Sequence, residues 1–439
     1  METGQKPAND SLDELSVAVL ILNWNGRSLL QTCLPLLLNQ TYNNYQIVVV
    51  DNGSSDKSAE FIAEHFPQVR LIQNEENLGF SRGINVGLSQ VEADVAVLLN
   101  NDVLVQPNWL KELARPFATS STIGIVGCKL LYPDGTVQHL GAELTYPLAH
   151  SHHYYYKEAN VGDLPAVQDV PYVTGAAMAV HRSVLAEIGL LDETFHPFYY
   201  EEADYCYRAR AAGFRVVVAT PAVAVHNEST TMRKVQDLML QTRHRNRSRF
   251  VLKHYSVEQF LLEFVPAETT YLKNHHLFLD IDAVRLACLE MAIAAPTILP
   301  AGISSEQLTA VQKALLHLRE TAILAKASAE APPPELEEFT FPASGSGLGA
   351  IIAKLRQAWS SIAAKWLVRR LLQQQALHNQ FLQRQIGRLE IQGRSQALEI
   401  EHLLATLLPT QEALKRLEED LTQRQAQPAQ TTMETGQPS

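Results

Sequence analysis

The stretch that decides the fold contains three segments, VVVDNGSSD at 48–56, ENLGFSRGINVG at 76–87 and VAVLLNND at 95–102. The first and the third are apolar runs that end in acidic or amide residues, and a segment rich in Asn and Gly lies between them. Apolar runs of this length are typical of strands buried in a parallel sheet. Open α/β sheets bind ligands at the carboxyl ends of such strands. The stretch therefore predicts a nucleotide and metal site at one edge of an α/β sheet.

The surrounding residues predict alternating strands and helices, because runs rich in Val, Ile and Leu are separated by helical stretches. Predicted strands lie at 17–22, 46–51, 69–72, 94–99, 124–127, 170–180, 216–219 and 222–225, and predicted helices at 28–39, from about 56 to 65, 82–90, 107–118, 182–188 and 201–212. Strand–helix alternation is typical of parallel sheets. We therefore expect an α/β fold of the Rossmann-like kind, with a mostly parallel sheet flanked by helices.

The composition narrows the class of protein. The chain has 439 residues, 46% of them hydrophobic, and a formal net charge of −11. This length allows two or three domains. The acidic balance lacks the basic surface of nucleic-acid-binding proteins, so we expect no nucleic-acid partner. The four cysteines are scattered and form no CxxC pair, which indicates a reducing compartment and argues against a zinc knuckle or a disulfide framework.

The sequence also bears on location. Its first residues, METGQKPANDSLDELS, are polar and lack the apolar core of a secretory signal. No run of 18 apolar residues occurs, so we expect no membrane-spanning helix. These features predict a cytoplasmic protein, and they leave open a peripheral contact with the inner face of the membrane.

Changes in composition predict six segments along the chain. We expect a disordered N-terminus at 1–15, an α/β domain at 16–255, a helical extension at 256–328, a linker at 329–347, an amphipathic helix and coiled coil at 348–425, and a disordered tail at 426–439. The linker contains PPP and SGSG, which is typical of connecting segments. The chain should therefore carry a C-terminal helical and coiled-coil extension.

Residues 351–372 have two interpretations. They contain five basic and no acidic residues, with apolar side chains at helical spacing on one face. A basic amphipathic helix with Trp359 and Trp366 can lie in a membrane interface. The same face can instead pack on protein, or the chain can form a homo-oligomer through the coiled coil, whose heptads are irregular.

The third segment of the decisive stretch ends in Asn100, Asn101 and Asp102. Because side chains alternate along a strand, Asn100 and Asp102 are expected to point to one side at the carboxyl edge of the sheet. Their oxygens are suited to a hard divalent cation that also binds a diphosphate. The alternative is a strand-end turn closed by an Asx hydrogen bond.

A second group of acids, Glu201, Glu202 and Asp204, lies in FYYEEADYCYRARAAGF at 198–214. These acids begin a predicted helix, where the helix dipole favours negative charge, and this is the purely structural interpretation. A carboxylate at this position can also act as a general base towards a hydroxyl group. Arg208, one turn after Asp204, is expected to pair with it.

His226 follows the apolar run AVAV at 222–225 and therefore lies at the end of a predicted strand. A neutral imidazole there can complete the coordination of a divalent cation. The alternative is a structural histidine. The spacing from the acidic segment favours a metal ligand.

The joint order of these segments resembles family 2 glycosyltransferases of the GT-A fold, including rhamnosyltransferase-like members. The resemblance covers about residues 16–255 and rests on the loop Asn23-Trp24-Asn25-Gly26, Asp51, the glycine block at 76–87, Asn100-Asn101-Asp102, the acidic helix and His226. It implies a GT-A fold. No single motif is specific, whereas their order is typical of this family.

The resemblance also implies a role for each group. Glu202 would be the catalytic base, with Glu201 and Asp204 as the other candidates, and Asp102 and His226 would hold Mg²⁺ or Mn²⁺. The donor would be bound by Asn23, Asn25, Asp51, Asn77, Gly79, Arg82, Asn85, Asn100 and Asn101. Two positions depart from the family pattern, since Asn100 replaces the first Asp of the DxD motif and Glu202 replaces an Asp.

The implied activity is inverting, metal-dependent transfer of a hexose or deoxyhexose from a nucleotide-sugar donor, such as dTDP-rhamnose or a UDP-sugar. The acceptor would be a glycan or a lipid-linked glycan in polysaccharide biosynthesis. Two alternatives remain. One is a catalytically idle scaffold that acts through the coiled-coil tail. The other is a nucleotidyltransferase, although ILNWNGRSL at 21–29 is a poor match to the glycine-rich signature expected after its first strand.

Overall fold

The computed structural model describes residues 15–159, 161–227, 236–274 and 278–329. The chain divides into two compact units, Met1–Lys326 and Ala327–Ser439. Nearly all of the second unit lies outside the described residues. The predicted linker, amphipathic helix, coiled coil and disordered ends fall outside them almost completely. These features, and with them membrane contact and oligomer formation, therefore stay predictions.

The described residues form twelve strands. They are β1 (Val17–Asn23), β2 (Tyr45–Asn52), β3 (Arg70–Asn74), β4 (Val95–Asn100), β5 (Val103–Val105), β6 (Ile123–Leu131), β7 (Val137–His139), β8 (Ala142–Leu144), β9 (Ser151–His153), β10 (Val167–Asp169), β11 (Ala177–His181) and β12 (Arg215–His226).

The helices in the same part of the chain are α1 (Arg27–Leu38), α2 (Ser58–His65), α3 (Phe80–Leu88), α4 (Trp109–Thr119), α5 (Arg182–Ile188), α6 (Glu201–Ala211), α7 (Gln236–His254), α8 (Val257–Gln259), α9 (Val265–Asn274), α10 (Phe278–Ile298) and α11 (Ser305–Ala329). A 3₁₀ turn lies at Glu193–Phe195, and a π-helical turn at Phe260–Phe264 joins α8 to α9.

Ten of these strands form one sheet, and β8 and β9 form a separate pair. The order along the sheet is β3, β2, β1, β4, β11, β6, β12, β10, with β5 paired to β12 and β7 to β6. Strands β1 to β4 run parallel, as do β6 and β12, whereas β11 is antiparallel to both of its neighbours. The predicted α/β fold with a mostly parallel sheet flanked by helices is confirmed.

Alternate residues of the central strands enter cores on opposite faces of the sheet, as the two-residue period of a strand requires. Leu20 and Leu98 belong to the core that contains residues of α3, α6, α10 and α11. Val19 and Val97 belong to the core that contains residues of α1 and α4. Both faces are covered, which explains why these strands are continuous apolar runs in the sequence.

The helices after residue 255 complete the first of these cores. Helix α10 packs along α7, and Arg247 of α7 forms a buried ion pair with Glu268 of α9, 2.5 Å between Nη2 and Oε1. The helical extension up to Lys326 therefore belongs to the same compact unit as the sheet. Within the described residues, no helix is long and apolar enough to cross a membrane.

The strand predicted at 170–180 is shorter in the structure, where only Ala177–His181 is a strand. The backbone before it bonds elsewhere, since Val170 N–H donates to the Val216 carbonyl and Tyr172 N–H to the Ala142 carbonyl. The two strands predicted at 216–219 and 222–225 are one strand, β12, with an irregularity between Ala219 and Val223.

Candidate active site

Three polar side chains meet where β1, β2 and β4 end. Asn23 Nδ2 donates to Asp51 Oδ1 at 3.0 Å, and Asn23 Oδ1 accepts from Asn101 Nδ2 at 2.9 Å. The second carboxylate oxygen of Asp51 accepts from the backbone N–H of Ser54 at 3.1 Å. Asn23 and Asp51 are buried, and their hydrogen bonds hold this row in place within the protein itself.

The loop after β1 allows this close approach. A Cβ atom on Gly26 would collide with Asn101 Nδ2 and lie 2.5 Å from Asn23 Oδ1, so a larger residue does not fit. Asn25 adopts a positive φ of 51°, which Asn tolerates better than most residues. Its Oδ1 accepts from the backbone N–H of Ser55 at 2.8 Å. Asn25 therefore joins the loops after β1 and β2.

Asn52, at the end of β2, organises the turn before α3. Its Nδ2 donates to Asn77 Oδ1 at 2.9 Å and to the Gly79 carbonyl at 3.2 Å. Asn77 Oδ1 also accepts from the Gly79 N–H at 2.9 Å. Sequence reasoning named Asn77 and Gly79 but missed Asn52, although it directly follows Asp51 at the same sheet edge.

Two residues of the glycine block have contrasting environments. Arg82 is exposed on α3 and therefore has the freedom that a diphosphate ligand would need. Asn85 is buried, and its amide donates to the Leu191 carbonyl at 2.9 Å and accepts from the Leu191 N–H at 3.1 Å. Both polar atoms of the Asn85 amide are thus hydrogen-bonded to the protein backbone, which favours a structural role over the implied contact with the donor.

Strand β4 ends at Asn100, and Asn101 and Asp102 form a turn. The alternation argument that placed Asn100 and Asp102 on one side therefore does not apply. Asn101 bonds to Asn23, whereas Asp102 faces His226. Asn100 is half-buried, and its backbone N–H donates to the Ala176 carbonyl at 2.9 Å.

Asp102 and His226 form a buried pair, with 3.1 Å between Asp102 Oδ1 and His226 Nε2. The other ring nitrogen of His226 lies 2.7 Å from Gln138 Oε1. With the Gln138 oxygen facing Nδ1, the neutral imidazole that satisfies this contact carries its proton on Nδ1 and presents the Nε2 lone pair to the carboxylate. That arrangement is favourable when a cation, either a proton or a metal ion, lies between the two atoms.

The pair fits part of a divalent-cation site. Among the residues that the structure describes, no three His, Cys, Asp or Glu side chains converge on one point, so the pair supplies two ligands of the larger set that such a cation takes. Two ligands at about 2.1 Å from one Mg²⁺, at a right angle, are about 3.0 Å apart. The observed separation of 3.1 Å matches this value. A carboxylate and a neutral imidazole are both suitable donors.

Glu201 and Glu202 begin α6 and lack partners for one oxygen each. Burial raises the pKa of Glu201 well above its usual value, and the neighbouring Glu202 raises it further. Burial also raises the pKa of Glu202, to about 6. The Oε2 atoms of both side chains are buried without a hydrogen-bond partner. A carboxylate with this pKa is suited to accept a proton near neutral pH.

Asp204 differs from the other two acids because it is fully buried and fully paired. It lies 2.8 Å from Arg208 Nε, 2.7 Å from Lys253 Nζ and 2.9 Å from His254 Nε2. Burial alone would raise its pKa, but the His254 hydrogen bond and the two cations lower it. The structure confirms the expected pairing with Arg208, and these contacts engage the Asp204 carboxylate within the protein.

The segment before β11 connects the acids of α6 to the sheet edge. A Cβ on Gly175 would lie 3.5 Å from Glu202 Cβ and 3.3 Å from Phe80 Cζ. The next residue, Ala176, accepts from the Asn100 N–H. Asn100 and Glu202 are therefore separated by one short backbone segment, although 102 positions apart in the sequence.

A cavity of about 610 Å³ lies beside this segment. Its wall includes His226 and Gln138 on one side and Thr174, which precedes Gly175, on another. The remaining lining is aromatic and polar, namely Tyr132, His139, Ser151, His152, His153, Tyr155, Tyr156 and Glu158. A cavity of this size is sufficient for a small organic ligand. Sequence reasoning found no ligand-binding role for these histidines, which are far apart from His226 in the sequence.

Comparison with known proteins identifies relatives of this chain. The O-antigen biosynthesis protein RfbC of Myxococcus xanthus is 29% identical over 226 residues, 49% of this chain and 18% of RfbC. The low-salt glycan biosynthesis hexosyltransferase Agl10 of Haloferax volcanii is 26% identical over 228 residues, 49% of this chain and 68% of Agl10. The chain thus spans less than a fifth of the length of RfbC.

Among solved structures, the mannosyltransferase PcManGT from Pyrobaculum calidifontis, in complex with GDP-Man and Mn²⁺, is 16% identical. The match covers 72% of this chain and 87% of that one, with a TM-score of 0.42. A family model described as glycosyltransferase like family 2 matches residues 15–250, which is more than half of the chain. The chain therefore belongs to glycosyltransferase family 2, with the GT-A fold that its sequence predicts.

Proposed function

We propose that the chain is an inverting glycosyltransferase. It would transfer one sugar from a nucleotide-sugar donor, such as dTDP-rhamnose or a UDP-sugar, to a hydroxyl group of a glycan or lipid-linked glycan. One observation carries the proposal: the wall of a single cavity includes His226, partner of Asp102, and Thr174, next to the glycine that packs on Glu202. One member of the proposed metal-ligand pair and the residue next to the glycine that packs on the candidate base therefore line the same cavity.

The donor side of the site comprises Asn23, Asp51, Asn101, Asp102 and His226. Asn23 and Asp51 already hold one another at the ends of β1 and β2, where an open α/β sheet binds a nucleotide. Asn25, Asn77 and Gly79 shape the adjoining loops. Arg82 is free to pair with the diphosphate, which a guanidinium does in a bidentate manner.

Asp102 and His226 would hold a divalent cation, Mg²⁺ or Mn²⁺, together with the donor diphosphate. A bound cation supplies Lewis-acid stabilisation of the leaving diphosphate. The protein contributes the alignment, since Gln138 fixes the His226 ring with Nε2 turned towards Asp102. Such a partner of a ligating histidine orients the ring and sets its tautomer.

The acceptor side comprises Gly175, Glu201 and Glu202. Glu202 would take the proton from the acceptor hydroxyl group as its oxygen attacks the anomeric carbon. A new carbon–oxygen bond forms, the bond from the anomeric carbon to the diphosphate breaks, and the nucleoside diphosphate leaves. Attack opposite the leaving group inverts the anomeric configuration. The raised pKa of Glu202, about 6, suits a base that is ionised at neutral pH and still accepts a proton readily.

The cavity would hold the sugar end of the acceptor. Its lining contains several Tyr and His rings and the hydroxyl groups of Ser151 and Thr174. Aromatic rings pack on the apolar faces of sugars, and hydroxyl groups and imidazoles hydrogen-bond to their edges. These side chains suit the cavity to a sugar.

A binding experiment tests the proposal. Purified full-length chain is heated with UDP-glucose, GDP-mannose or dTDP-rhamnose, each with and without Mn²⁺, and its melting temperature is recorded. We expect one nucleotide class to raise the melting temperature, and Mn²⁺ to increase that rise, because a ligand that binds only the folded state stabilises it. A folded chain that responds to none of the donors would favour the scaffold alternative.

A further inference from the structure

The segment Phe195–Tyr200, here called the pre-α6 loop, leads directly into Glu201 and Glu202. Tyr199 and Tyr200 in this loop have φ angles of 75° and 72°. This left-handed region is unfavourable for bulky L-residues. Such a conformation persists only where the surrounding structure holds it. The loop therefore needs an external restraint, and the position of Glu202 depends on that restraint.

Asn246 of α7 restrains the loop, beside its neighbour Arg245, which donates to the His196 carbonyl. The Asn246 Nδ2 lies 2.7 Å from the Phe195 carbonyl oxygen, 2.9 Å from that of Phe198 and 2.9 Å from that of Tyr199. The side chain is fully buried. An amide group has two N–H bonds, so the three carbonyl groups share them. A buried amide donor that contacts three carbonyl groups of one loop indicates a specific restraint on that loop, because packing alone would not require a polar side chain at this position.

The pre-α6 loop also contacts the donor side of the site. The Phe80 N–H, at the start of α3, donates to the Pro197 carbonyl at 2.8 Å. A Cβ on Gly79 would lie 2.6 Å from His196 Nδ1, so Gly79 allows the loop to approach the turn that Asn77 shapes. The loop therefore joins the turn before α3 to the first residues of α6.

We infer that Asn246 is a positioning residue, which fixes the Glu202 carboxyl group relative to the donor by holding three carbonyl groups of the pre-α6 loop. The inference rests on the proposed role of Glu202 as base. Asn246 lies under the loop without exposed surface, so it acts through Glu202 and not on a substrate. A displacement of about 1 Å in a reacting group can reduce turnover 10²-fold.

The test compares three variants in the full-length chain: Asn246→Ala, Asn246→Ser and Ser248→Ala. Ser248 is a buried residue of the same helix, and no hydrogen bond joins it to the loop, so it is the matched control. Turnover is measured as release of nucleoside diphosphate from the nucleotide-sugar that stabilises the wild type, with water in place of the acceptor. Donor affinity is measured by titration of the melting temperature.

We expect Asn246→Ala to reduce kcat about 100-fold with donor affinity within twofold of the wild type. Asn246→Ser, which restores one donor, should recover part of kcat, and Ser248→Ala should resemble the wild type. Wild-type kcat in a folded Asn246→Ala or Asn246→Ser variant overturns the inference. Equal losses of kcat and donor affinity in Asn246→Ser also overturn it, because they indicate a purely structural role. If Asn246→Ala does not fold, Asn246→Ser decides.

Glu202→Gln in the same assay separates this inference from the function on which it rests. Wild-type turnover by Glu202→Gln overturns both the assignment of the base and the role of Asn246. An inactive Glu202→Gln variant beside a fully active Asn246→Ala variant overturns only the role of Asn246.

Discussion

The donor side and the acceptor side of the site differ in how their polar atoms are partnered. On the donor side, Asn23, Asp51 and Asn101 bond to one another, and Asp102 faces His226. On the acceptor side, Glu201 and Glu202 each keep one buried oxygen without a partner. The polar side chains of the donor side are thus held by other protein groups. On the acceptor side, two buried carboxyl groups lack part of their hydrogen bonds.

The difference has a chemical meaning. Groups that orient a ligand benefit from fixed positions, because less freedom is lost when the ligand binds. A group that must accept a proton benefits from incomplete solvation, because this raises its affinity for the proton. The paired side is thus suited to binding, and the unpaired side to proton transfer. A substitution on one side should therefore leave the function of the other side unaffected.

The largest effect is expected from Glu202→Gln on the acceptor side. A general base contributes between 10² and 10⁴ to a rate, so we expect kcat to fall about 10³-fold. Donor affinity should stay within twofold of the wild type, since no donor-side contact involves Glu202. Turnover is measured by release of nucleoside diphosphate, and affinity by titration of the melting temperature.

The pH profile provides a second measurement of the same group. Because the pKa of Glu202 is raised to about 6, the base is protonated below that pH, and wild-type kcat should fall tenfold per pH unit there. Asp204→Asn serves as the comparison. This change removes a buried charge that Arg208, Lys253 and the His254 hydrogen bond stabilise, so it should lower stability in urea. A variant of Glu202 that keeps wild-type turnover would remove the contrast between the two sides.

The next largest effect is expected from His226→Ala on the donor side. Loss of one of the two proposed protein ligands should remove the additional thermal stabilisation that we expect Mn²⁺ to give to the donor complex. Turnover should fall about 100-fold, because the Lewis-acid contribution of a metal is worth several kcal/mol. The measurement is the melting temperature with donor, with and without Mn²⁺.

His65→Ala is the control for this experiment, since His65 is exposed at the end of α2. It should respond to Mn²⁺ as the wild type does. An undiminished response to Mn²⁺ in His226→Ala would mean that the Asp102–His226 pair is held by a proton instead of a metal ion.

The smallest effect is expected from Glu201→Gln, as a change in stability with pH. Burial raises the pKa of Glu201 in the folded state, so the folded state retains a proton that the unfolded state releases. Wild-type stability should therefore fall as pH rises above 4.5, and Glu201→Gln should show a smaller fall, of which the part due to the raised pKa of Glu202 remains. Each unit of pKa difference corresponds to about 1.4 kcal/mol.

Urea denaturation at pH 5 and at pH 8 measures this difference. Glu187→Gln, at an exposed position of α5, is the control and should retain the wild-type dependence on pH. If Glu201→Gln loses stability with pH as the wild type does, Glu201 is ionised in the folded state. The acceptor side would then hold two charges and not one.

Sequence reasoning predicted the parts of the fold that depend on local pattern. The apolar runs of β1, β2 and β4 are visible because both faces of the sheet are covered. The acids and amides at their ends follow from position alone, since parallel strands bring their carboxyl ends to one edge. Asp102 and His226 are 124 positions apart in the sequence. Their proximity could be anticipated for the same reason.

The remaining features depend on contacts that no local pattern encodes. Gln138 binds His226 from a short strand 88 positions away, and nothing in the sequence around Gln138 marks it. The restraint on the pre-α6 loop comes from Asn246 of α7, a helix whose sequence indicated no function. Asp204 resembles its neighbours in the sequence, and only its contacts with Arg208, Lys253 and His254 separate its environment from that of Glu202.

The direction of β11 has a consequence for how this enzyme family can diversify. A strand that runs against its neighbours begins at the edge where they end, so the chain before β11 arrives at the site. That chain carries Thr174 and Gly175, and it bonds to the pair β8 and β9 through Tyr172 and Ala142. We therefore expect changes in the length and sequence of residues 132–176 to alter the proposed acceptor side while β1 to β4, and with them the proposed donor side, keep their structure.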